Sequence, residues 1–178
     1  MVEKAAEEQS VAPVVLVTGS NGMVGHCIKE LVKSITEGAA DQAGGDAAAA
    51  ASRIDSAWEV LRDRQDRESL EVVLRAVVPT VTFYFATRES DGSLSDQAKV
   101  ESLFARVKPA YVIHLAAKVG GLFANMNDKV GFFEENLAMN SNIIRASHAH
   151  GIKKLVCVLS TCIYPDETAY PIQASSLH

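Results

Sequence analysis

A glycine-rich segment between an apolar run and an amphipathic stretch is the feature that most limits how this chain can fold. The segment reads Gly19-Ser20-Asn21-Gly22-Met23-Val24-Gly25 and follows the β-branched run 14–17. Such a run is typical of a buried parallel strand, and apolar residues at helical spacing from 24 to 35 predict a helix. The chain is therefore expected to open with a strand, a glycine turn and a helix.

Each glycine has a separate role in a unit of this kind. Gly19 permits the tight turn after the strand, Gly22 lets the backbone approach a pyrophosphate, and Gly25 lets the helix pack close to the sheet. The free amides of the segment, including those of Ser20, Asn21, Met23 and Val24, then face the phosphates. This context predicts dinucleotide binding; the alternative is a glycine turn that binds no ligand.

Three further strands are predicted at 81–85, 111–116 and 154–160. A helix is predicted from Ser95 or Asp96 to Val107, with Val100, Leu103 and Phe104 facing inward. A second helix is predicted from 129 to 150, where Gly151 ends it. Strands that alternate with helices favour an α/β fold, and the glycine segment makes it a Rossmann-type doubly wound parallel sheet. The sheet is expected to be incomplete at its C-terminal side.

Two segments depart from this pattern. Residues 1–12 are polar and acidic and are expected to be a disordered tail, so the cofactor-binding domain is placed at 13–178. The second segment is an insertion at about 38–80. Its first part is rich in Ala, Gly and Asp, which predicts a flexible loop, and its second part is predicted to form one or two surface helices. Its length of roughly 40 residues is far above the 2–6 that are usual for such a connection.

Composition excludes several functions. The 178-residue chain has a net charge of −5 and a pI of about 5.5, which argues against a nucleic-acid binder. No apolar stretch reaches the roughly 18 residues of a membrane-spanning helix, so no membrane partner is expected. The three cysteines, Cys27, Cys157 and Cys162, have no metal-ligand spacing, so no metal is predicted and a reducing, cytoplasmic location is expected.

The residues after the second strand bear on which cofactor binds. An acidic residue there would bond the ribose 2′-hydroxyl of NAD, whereas an arginine would accept the 2′-phosphate of NADP. Arg88 predicts NADP(H), because a guanidinium matches a phosphate in charge and geometry. Glu89 follows it, and the two could also be a solvated surface pair.

Ser160 and Cys162 follow the last predicted strand, at the sheet edge where ligands bind in open α/β folds. If strand geometry persists that far, both side chains project to the same side. A hydroxyl can polarise a carbonyl, and a thiolate can remove a proton beside it. The alternative for Cys162 is a small buried apolar side chain.

Four motifs occur in order: GSNGMVG at 19–25, HLAAKVGGLFAN at 114–125, NxxMNSNIIRASH at 136–148 and STCIYP at 160–165. Together they resemble the GDP-L-fucose synthases, a family of extended short-chain dehydrogenases/reductases. The resemblance covers 13–37 and about 81–178. It implies an NADP-dependent enzyme that epimerises GDP-4-keto-6-deoxy-D-mannose at C3 and C5 and then reduces the C4 ketone.

The resemblance also implies roles for particular residues. Cys162 would be the base of the epimerisation, and Ser160 would be the serine of the Ser-Tyr-Lys triad. The residues that would line the nicotinamide side are Leu115, Ala116, Ala117, Val158, Leu159 and Thr161. The family's Tyr-x-x-x-Lys and its C-terminal substrate domain are not found, so we expect the isolated chain to be inactive in reduction.

The family resemblance implies a GDP-sugar substrate and a homodimer of the full-length enzyme, whose interface takes two helices from each subunit. This chain carries the first of them, near 129–150. Two alternatives stay open. One is that the chain belongs to another epimerase or dehydratase of nucleotide sugars among the extended short-chain dehydrogenases/reductases, although Arg88 and Cys162 argue against this alternative. The other is a cofactor-binding module without catalysis.

Overall fold

The computed structural model describes residues 12–38 and 74–177. The expected tail, apart from residue 12, and most of the expected insertion therefore lie outside the described residues. Of the insertion's predicted helices, only 74–77 can be compared. These four residues are helical and lead into a 3₁₀ turn at Val78–Thr80.

The predicted α/β fold class is confirmed by a four-stranded, fully parallel sheet. Its strands are β1 (Val14–Thr18), β2 (Thr82–Phe85), β3 (Tyr111–His114) and β4 (Lys154–Cys157). Their spatial order is β2-β1-β3-β4. The chain leaves β1 toward one side to form β2 and returns to the other side to form β3. A crevice therefore opens at the carboxyl ends of β1 and β3, which is where such sheets bind ligands.

Helices connect the strands, as crossovers between parallel strands require. They are α1 (Met23–Gly38), the short α2 (Arg88–Asp91), α3 (Gln97–Val107), α4 (Leu122–Asn127) and α5 (Lys129–Ala149). Asp96 caps α3 by accepting from the amides of Ala98 and Lys99. Gly151 follows α5 with φ of 65°, a conformation that suits glycine at a helix end. Within 12–38 and 74–177, no helix is both long and apolar enough to cross a bilayer.

The core lies on both faces of the sheet because strand side chains alternate. On one face, Leu16 and Val112 pack against the buried side chains of α3 and α5, which are Val100, Leu103, Phe104, Ile143 and Ala146. On the other face, Val15, Val17 and Tyr111 form a second cluster. The apolar residues predicted to face inward from α3 are all buried.

Two strands end earlier than the sequence predicts. β3 ends at His114 rather than Ala116, and β4 ends at Cys157 rather than Ser160. The reason is that a parallel strand continues only while its neighbour does. β1 turns away at Gly19, so β3 loses its partner, and the amide of Val158 makes the last contact of β4, with the carbonyl of His114 at 3.1 Å.

Candidate functional site

The turn after β1 is built around Gly19. This residue has φ of 71°, and the amide of Gly22 donates to its carbonyl at 3.0 Å. A Cβ at Gly19 would lie 2.6 Å from the backbone nitrogen of Ala116 in the segment after β3. The glycine is therefore required both by its left-handed conformation and by the close approach of a neighbouring backbone.

Gly25 and Gly22 differ in what surrounds them. A Cβ at Gly25 would lie 2.5 Å from Cα of Ser20 and 2.6 Å from the carbonyl oxygen of Gly19. The close approach predicted for Gly25 therefore exists, but it is against the glycine turn rather than against the sheet. A Cβ at Gly22 would meet only the carbonyl oxygen of Gly19, at 3.3 Å, so this side of the turn is open to a ligand.

The start of α1 can hold an anion. Its first amides have no carbonyl one turn earlier to bond, and its first turn contains no acidic residue. Asn21, Met23 and Val24 are exposed beside these amides. Together with the open face of Gly22, they form a cradle that fits a pyrophosphate.

Ser20 is the exception among the predicted cofactor-binding residues of the turn. Its side chain is buried, and its hydroxyl donates to the carbonyl of Ala86 at 2.9 Å. The hydroxyl therefore ties the glycine turn to the end of β2, which leaves only the backbone of Ser20 for a ligand.

A buried histidine lies beneath the crevice. The hydroxyl of Thr18 donates to Nδ1 of His114 at 2.6 Å, and Nε2 of His114 donates to Oδ1 of Asn140 on α5 at 2.9 Å. Burial lowers the pKa of His114 below its ordinary value, and the bond to Asn140 only partly offsets this effect. A neutral histidine thus joins β1, β3 and α5.

The segment after β3 carries Leu115, Ala116 and Ala117, which were predicted to line the nicotinamide side. Its path is fixed by Asn136 of α5. The side chain of Asn136 accepts from the amide of Lys118 at 2.8 Å and donates to the carbonyl of the same residue at 3.0 Å. This role of Asn136 could not be predicted, because nothing in the sequence around a helical asparagine identifies a hydrogen-bond partner 18 residues away.

Lys118 anchors the same segment through its side chain. Its ammonium donates to Glu135 at 2.7 Å and to Asp128 at 3.0 Å, and it lies 4.9 Å from the ring centroid of Phe132. The hydrogen bonds to Glu135 and Asp128 raise the pKa of Lys118, which therefore stays charged. Lys118 thus holds the segment to α5 rather than offering a free base.

The end of β4 corrects one prediction. Because the strand ends at Cys157, alternation along it cannot place Ser160 and Cys162 on one side. Instead Ser160 caps a 3₁₀ turn at Thr161–Ile163, and its hydroxyl accepts from the amide of Cys162 at 3.2 Å. Ser160 and Cys162 therefore lie close together because of this turn and not because of strand geometry. Both are exposed at the edge of the sheet formed by the carboxyl ends of the strands. Val158, Leu159 and Thr161 are exposed there as well.

Arg88 and Glu89 lie just after β2, in the first turn of α2. Thr87 caps this short helix, with its hydroxyl accepting from the amide of Ser90 at 3.1 Å. Both Arg88 and Glu89 are exposed. The Oε2 atom of Glu89 accepts from the side-chain amide of Asn21 at 3.5 Å, so the end of β2 is next to the glycine turn.

Asp91 holds this turn in place. Its side chain is 1% exposed and pairs with Arg106 of α3. It also accepts from the hydroxyl of Tyr84 at 2.8 Å and the amide of Thr87 at 3.0 Å. Burial raises the pKa of Asp91. Its hydrogen bonds, of which the one from Ser90 has the largest effect, outweigh burial, so the pKa is lowered overall. The carboxylate therefore fixes the turn that presents Arg88.

We expect Asp91→Asn to lower the free energy of unfolding by about 2 kcal/mol at pH 7, because hydrogen bonds to a buried charge are lost. Since the folded pKa of Asp91 is below its ordinary value of 3.8, its stabilisation is complete above that pH. It is lost as the pH falls through the folded pKa. Thermal unfolding between pH 7 and pH 3 should show the two proteins converging. Asp166→Asn, at an exposed position, is the control, and a difference independent of pH would contradict the assignment.

The carboxyl ends of all four strands thus carry candidate residues on one edge of the sheet. Residues Thr18, His114 and Cys157 lie in register there, and the segments after them surround the crevice. No group of three or more His, Cys, Asp or Glu that could hold a metal occurs in the described part of the chain. The arrangement suits a dinucleotide that lies across the edge.

The chain is similar in sequence to proteins named GDP-L-fucose synthase. A probable GDP-L-fucose synthase of Drosophila melanogaster is 44% identical over 111 residues, which are 62% of this chain and 35% of that protein. The GDP-L-fucose synthase of Dictyostelium discoideum is 47% identical over 91 residues, which are 51% of this chain and 28% of that protein. The chain therefore spans about a third of the length of the curated relatives it matches.

A solved structure and a family profile extend the comparison. The crystal structure of a GDP-L-fucose synthetase from Naegleria fowleri bound to NADP has a TM-score of 0.61 and 29% identity, over 100% of this chain and 42% of that one. Residues 15–178 match the profile described as the NAD dependent epimerase/dehydratase family. Because this match extends over most of the sequence, the chain belongs to the NAD dependent epimerase/dehydratase family.

Proposed function

We propose that residues 13–178 form the cofactor-binding domain of a GDP-L-fucose synthase, an NADP-dependent epimerase and reductase. The observation that carries the proposal is the open cradle at Gly22 and the start of α1, at the switch point between β1 and β3. The names of the relatives in Drosophila and Dictyostelium and the NADP-bound structure from Naegleria support this choice of enzyme.

In this proposal the chain's own residues hold NADPH at three places. The glycine turn and the first amides of α1 bind the pyrophosphate. Arg88, on the turn that Asp91 fixes, binds the 2′-phosphate through its guanidinium. The nicotinamide side is lined by Leu115, Ala116, Ala117, Val158, Leu159 and Thr161. When bound there, NADPH supplies the hydride that reduces the C4 ketone.

The turn after β4 supplies the groups that act on the sugar. The hydroxyl of Ser160 donates a hydrogen bond to the ketone oxygen and polarises the carbonyl. This polarisation acidifies the neighbouring carbon atoms, and Cys162 acts as the base that removes a proton from C3 or C5. A proton delivered from solvent to the opposite face of the carbon completes each epimerisation, and Cys162 then releases the proton that it took.

The proposed substrate is a GDP-sugar, and the proposed full-length enzyme is a homodimer. Exposed apolar side chains on α5 fit the helix contact that such a dimer uses. They recur at helical spacing and are Val130, Phe133, Leu137 and Ile144. Light scattering on the purified full-length enzyme measures its mass, and a purely monomeric full-length enzyme would contradict this part of the proposal.

Binding of NADPH and NADH to this chain tests the proposed cofactor. We expect NADPH to bind about tenfold more tightly, because one good ion pair with the 2′-phosphate contributes about 1.4 kcal/mol. Arg88→Ala should remove that preference and leave the affinity for NADH unchanged. Fluorescence titration measures both constants, with Arg145→Ala on α5 as the control. Equal affinity for the two nucleotides, or a preference that survives in Arg88→Ala, would contradict the assignment.

A further inference from the structure

Three side chains form a chain of contacts beside the carboxyl end of β2. The ammonium of Lys29, on α1, donates to Oδ1 of Asn21 at 3.2 Å. The amide nitrogen of Asn21 in turn donates to Oε2 of Glu89 at 3.5 Å. A cation, an amide and a carboxylate thus connect the glycine turn to the turn that carries Arg88.

Lys29 is held in this position from two directions. It is four residues after Gly25, so it lies on the helix face that meets the glycine turn. Its ammonium lies 5.6 Å from the ring centroid of Phe85, the last residue of β2. Contact with an aromatic face and with an amide oxygen orients the positive charge toward the end of β2.

Glu89 brings a negative charge to the same place. It follows Arg88 directly, and its carboxylate uses the donor that Asn21 offers there. A phosphate oxygen and a carboxylate oxygen accept the same hydrogen bonds, so an anion bound beside Arg88 would meet Glu89 as a competitor. Two negative charges within a few ångströms also repel each other.

We propose that Lys29 is a second cation of the cofactor's 2′-phosphate site and that Glu89 is an internal anion that competes with this phosphate. Lys29 then increases the preference for NADPH over NADH, and Glu89 limits it. Arg88 provides the main contact, while the balance of its two neighbours sets how strongly the chain selects between the cofactors. This inference rests on the proposed function.

Substitution of each residue separates the two effects. Lys29→Met should weaken NADPH binding by about fivefold, the effect of one partly exposed charge pair, and leave NADH binding within about twofold of wild type. Glu89→Gln should tighten NADPH binding by about threefold for the same reason, without tightening NADH binding. Lys29→Gln provides a second test at the same position if the methionine variant folds poorly.

Lys33→Met is the matched control because it removes the same charge from the next turn of α1. Lys33 lies 4.0 Å from Glu37, with both side chains exposed, so its loss should change neither affinity. Thermal unfolding verifies that all variants keep the fold. Adenosine 2′,5′-bisphosphate serves as a probe that carries the 2′-phosphate without the nicotinamide, and it should follow the NADPH results.

The outcomes separate this inference from the proposed function. If neither nucleotide binds to the wild-type chain, the proposed cofactor site is wrong, and this inference fails with it. If NADPH binds but Lys29→Met and Lys33→Met weaken it equally, or Glu89→Gln leaves it unchanged, only the present inference is overturned. Support requires that both Lys29 and Glu89 change NADPH affinity, in opposite directions.

Discussion

Gly25→Ala is expected to lower the melting temperature by roughly 6–12 °C, which corresponds to about 3 kcal/mol of overpacking in a chain of this size. The added methyl group would meet backbone atoms of Ser20 and Gly19 at 2.5–2.6 Å. Backbone atoms cannot rotate away as a side chain can. The start of α1 or the glycine turn must therefore shift.

Gly22→Ala is the informative contrast, because it separates folding from cofactor binding. Its methyl group would meet only the carbonyl oxygen of Gly19, at 3.3 Å, so we expect the melting temperature to stay close to wild type. The same methyl group would enter the cradle proposed for the pyrophosphate. NADPH affinity should then fall by about tenfold or more.

Gly121→Ala is the control for both variants, because its Cβ would meet nothing within 4 Å. Circular dichroism measures the melting temperatures, and NADPH fluorescence measures the affinities. Gly25→Ala with wild-type stability would mean that the start of α1 is less tightly packed than the structure indicates. Gly22→Ala with wild-type affinity would place the pyrophosphate elsewhere.

The elements of this fold could be predicted because their signals are local. The apolar run before Gly19 marked β1, the spacing of Val100, Leu103 and Phe104 marked α3, and Asp96 was one of two predicted caps. In each case the side chains that determine the element lie within one segment. Apolar periodicity and helix-capping residues were therefore sufficient to predict the order of strands and helices.

The ends of β3 and β4 could not be predicted, because they depend on neighbours distant in sequence. The apolar residues after His114 and Cys157 read as strand, but each strand ends where its partner turns away. The same limit applied to the site. Ser160 and Cys162 were expected to share a side through strand geometry, whereas a 3₁₀ turn joins them.

The positioning residues were missed for the same reason. Asp91 pairs with Arg106, and Asn136 brackets Lys118. Neither pair has a spacing that identifies it, since the partners belong to different elements. Most residues that would contact a ligand belong to motifs that the sequence shows. The residues that hold those motifs in place could be identified only from the structure.

The bond between Thr18 and His114 provides the second large expected effect. His114→Leu should lower the free energy of unfolding by about 3 kcal/mol, because a hydrogen bond is lost and the buried hydroxyl of Thr18 is left without its acceptor. Thr18→Val should cost about 2 kcal/mol, because it leaves Nδ1 of His114 unpaired. Both side chains are at most 2% exposed, so water cannot replace the missing partner.

The double variant should cost less than the sum of the single ones. With Thr18 and His114 both replaced by apolar residues of similar shape, neither position keeps a buried donor or acceptor without a partner. Asn140, which also loses its bond to His114, is exposed and can bond water instead. We therefore expect a coupling of about 1–2 kcal/mol. Denaturant unfolding of the four proteins gives this coupling. Thr36→Val, at an exposed position on α1, controls for the general effect of the substitution.

The pH dependence provides an independent test of the burial of a neutral His114. The folded pKa of His114 is below its ordinary value of 6.5. The unfolded chain therefore binds a proton near pH 6.5 that the folded chain still excludes, and wild-type stability should decrease as the pH falls below that value. His114→Leu removes this contribution, so its stability should decrease less between pH 7 and pH 5. Parallel stability curves for the two proteins would mean that His114 is not buried in its neutral form, and a coupling near zero would mean that its bond to Thr18 does not hold β1 to β3.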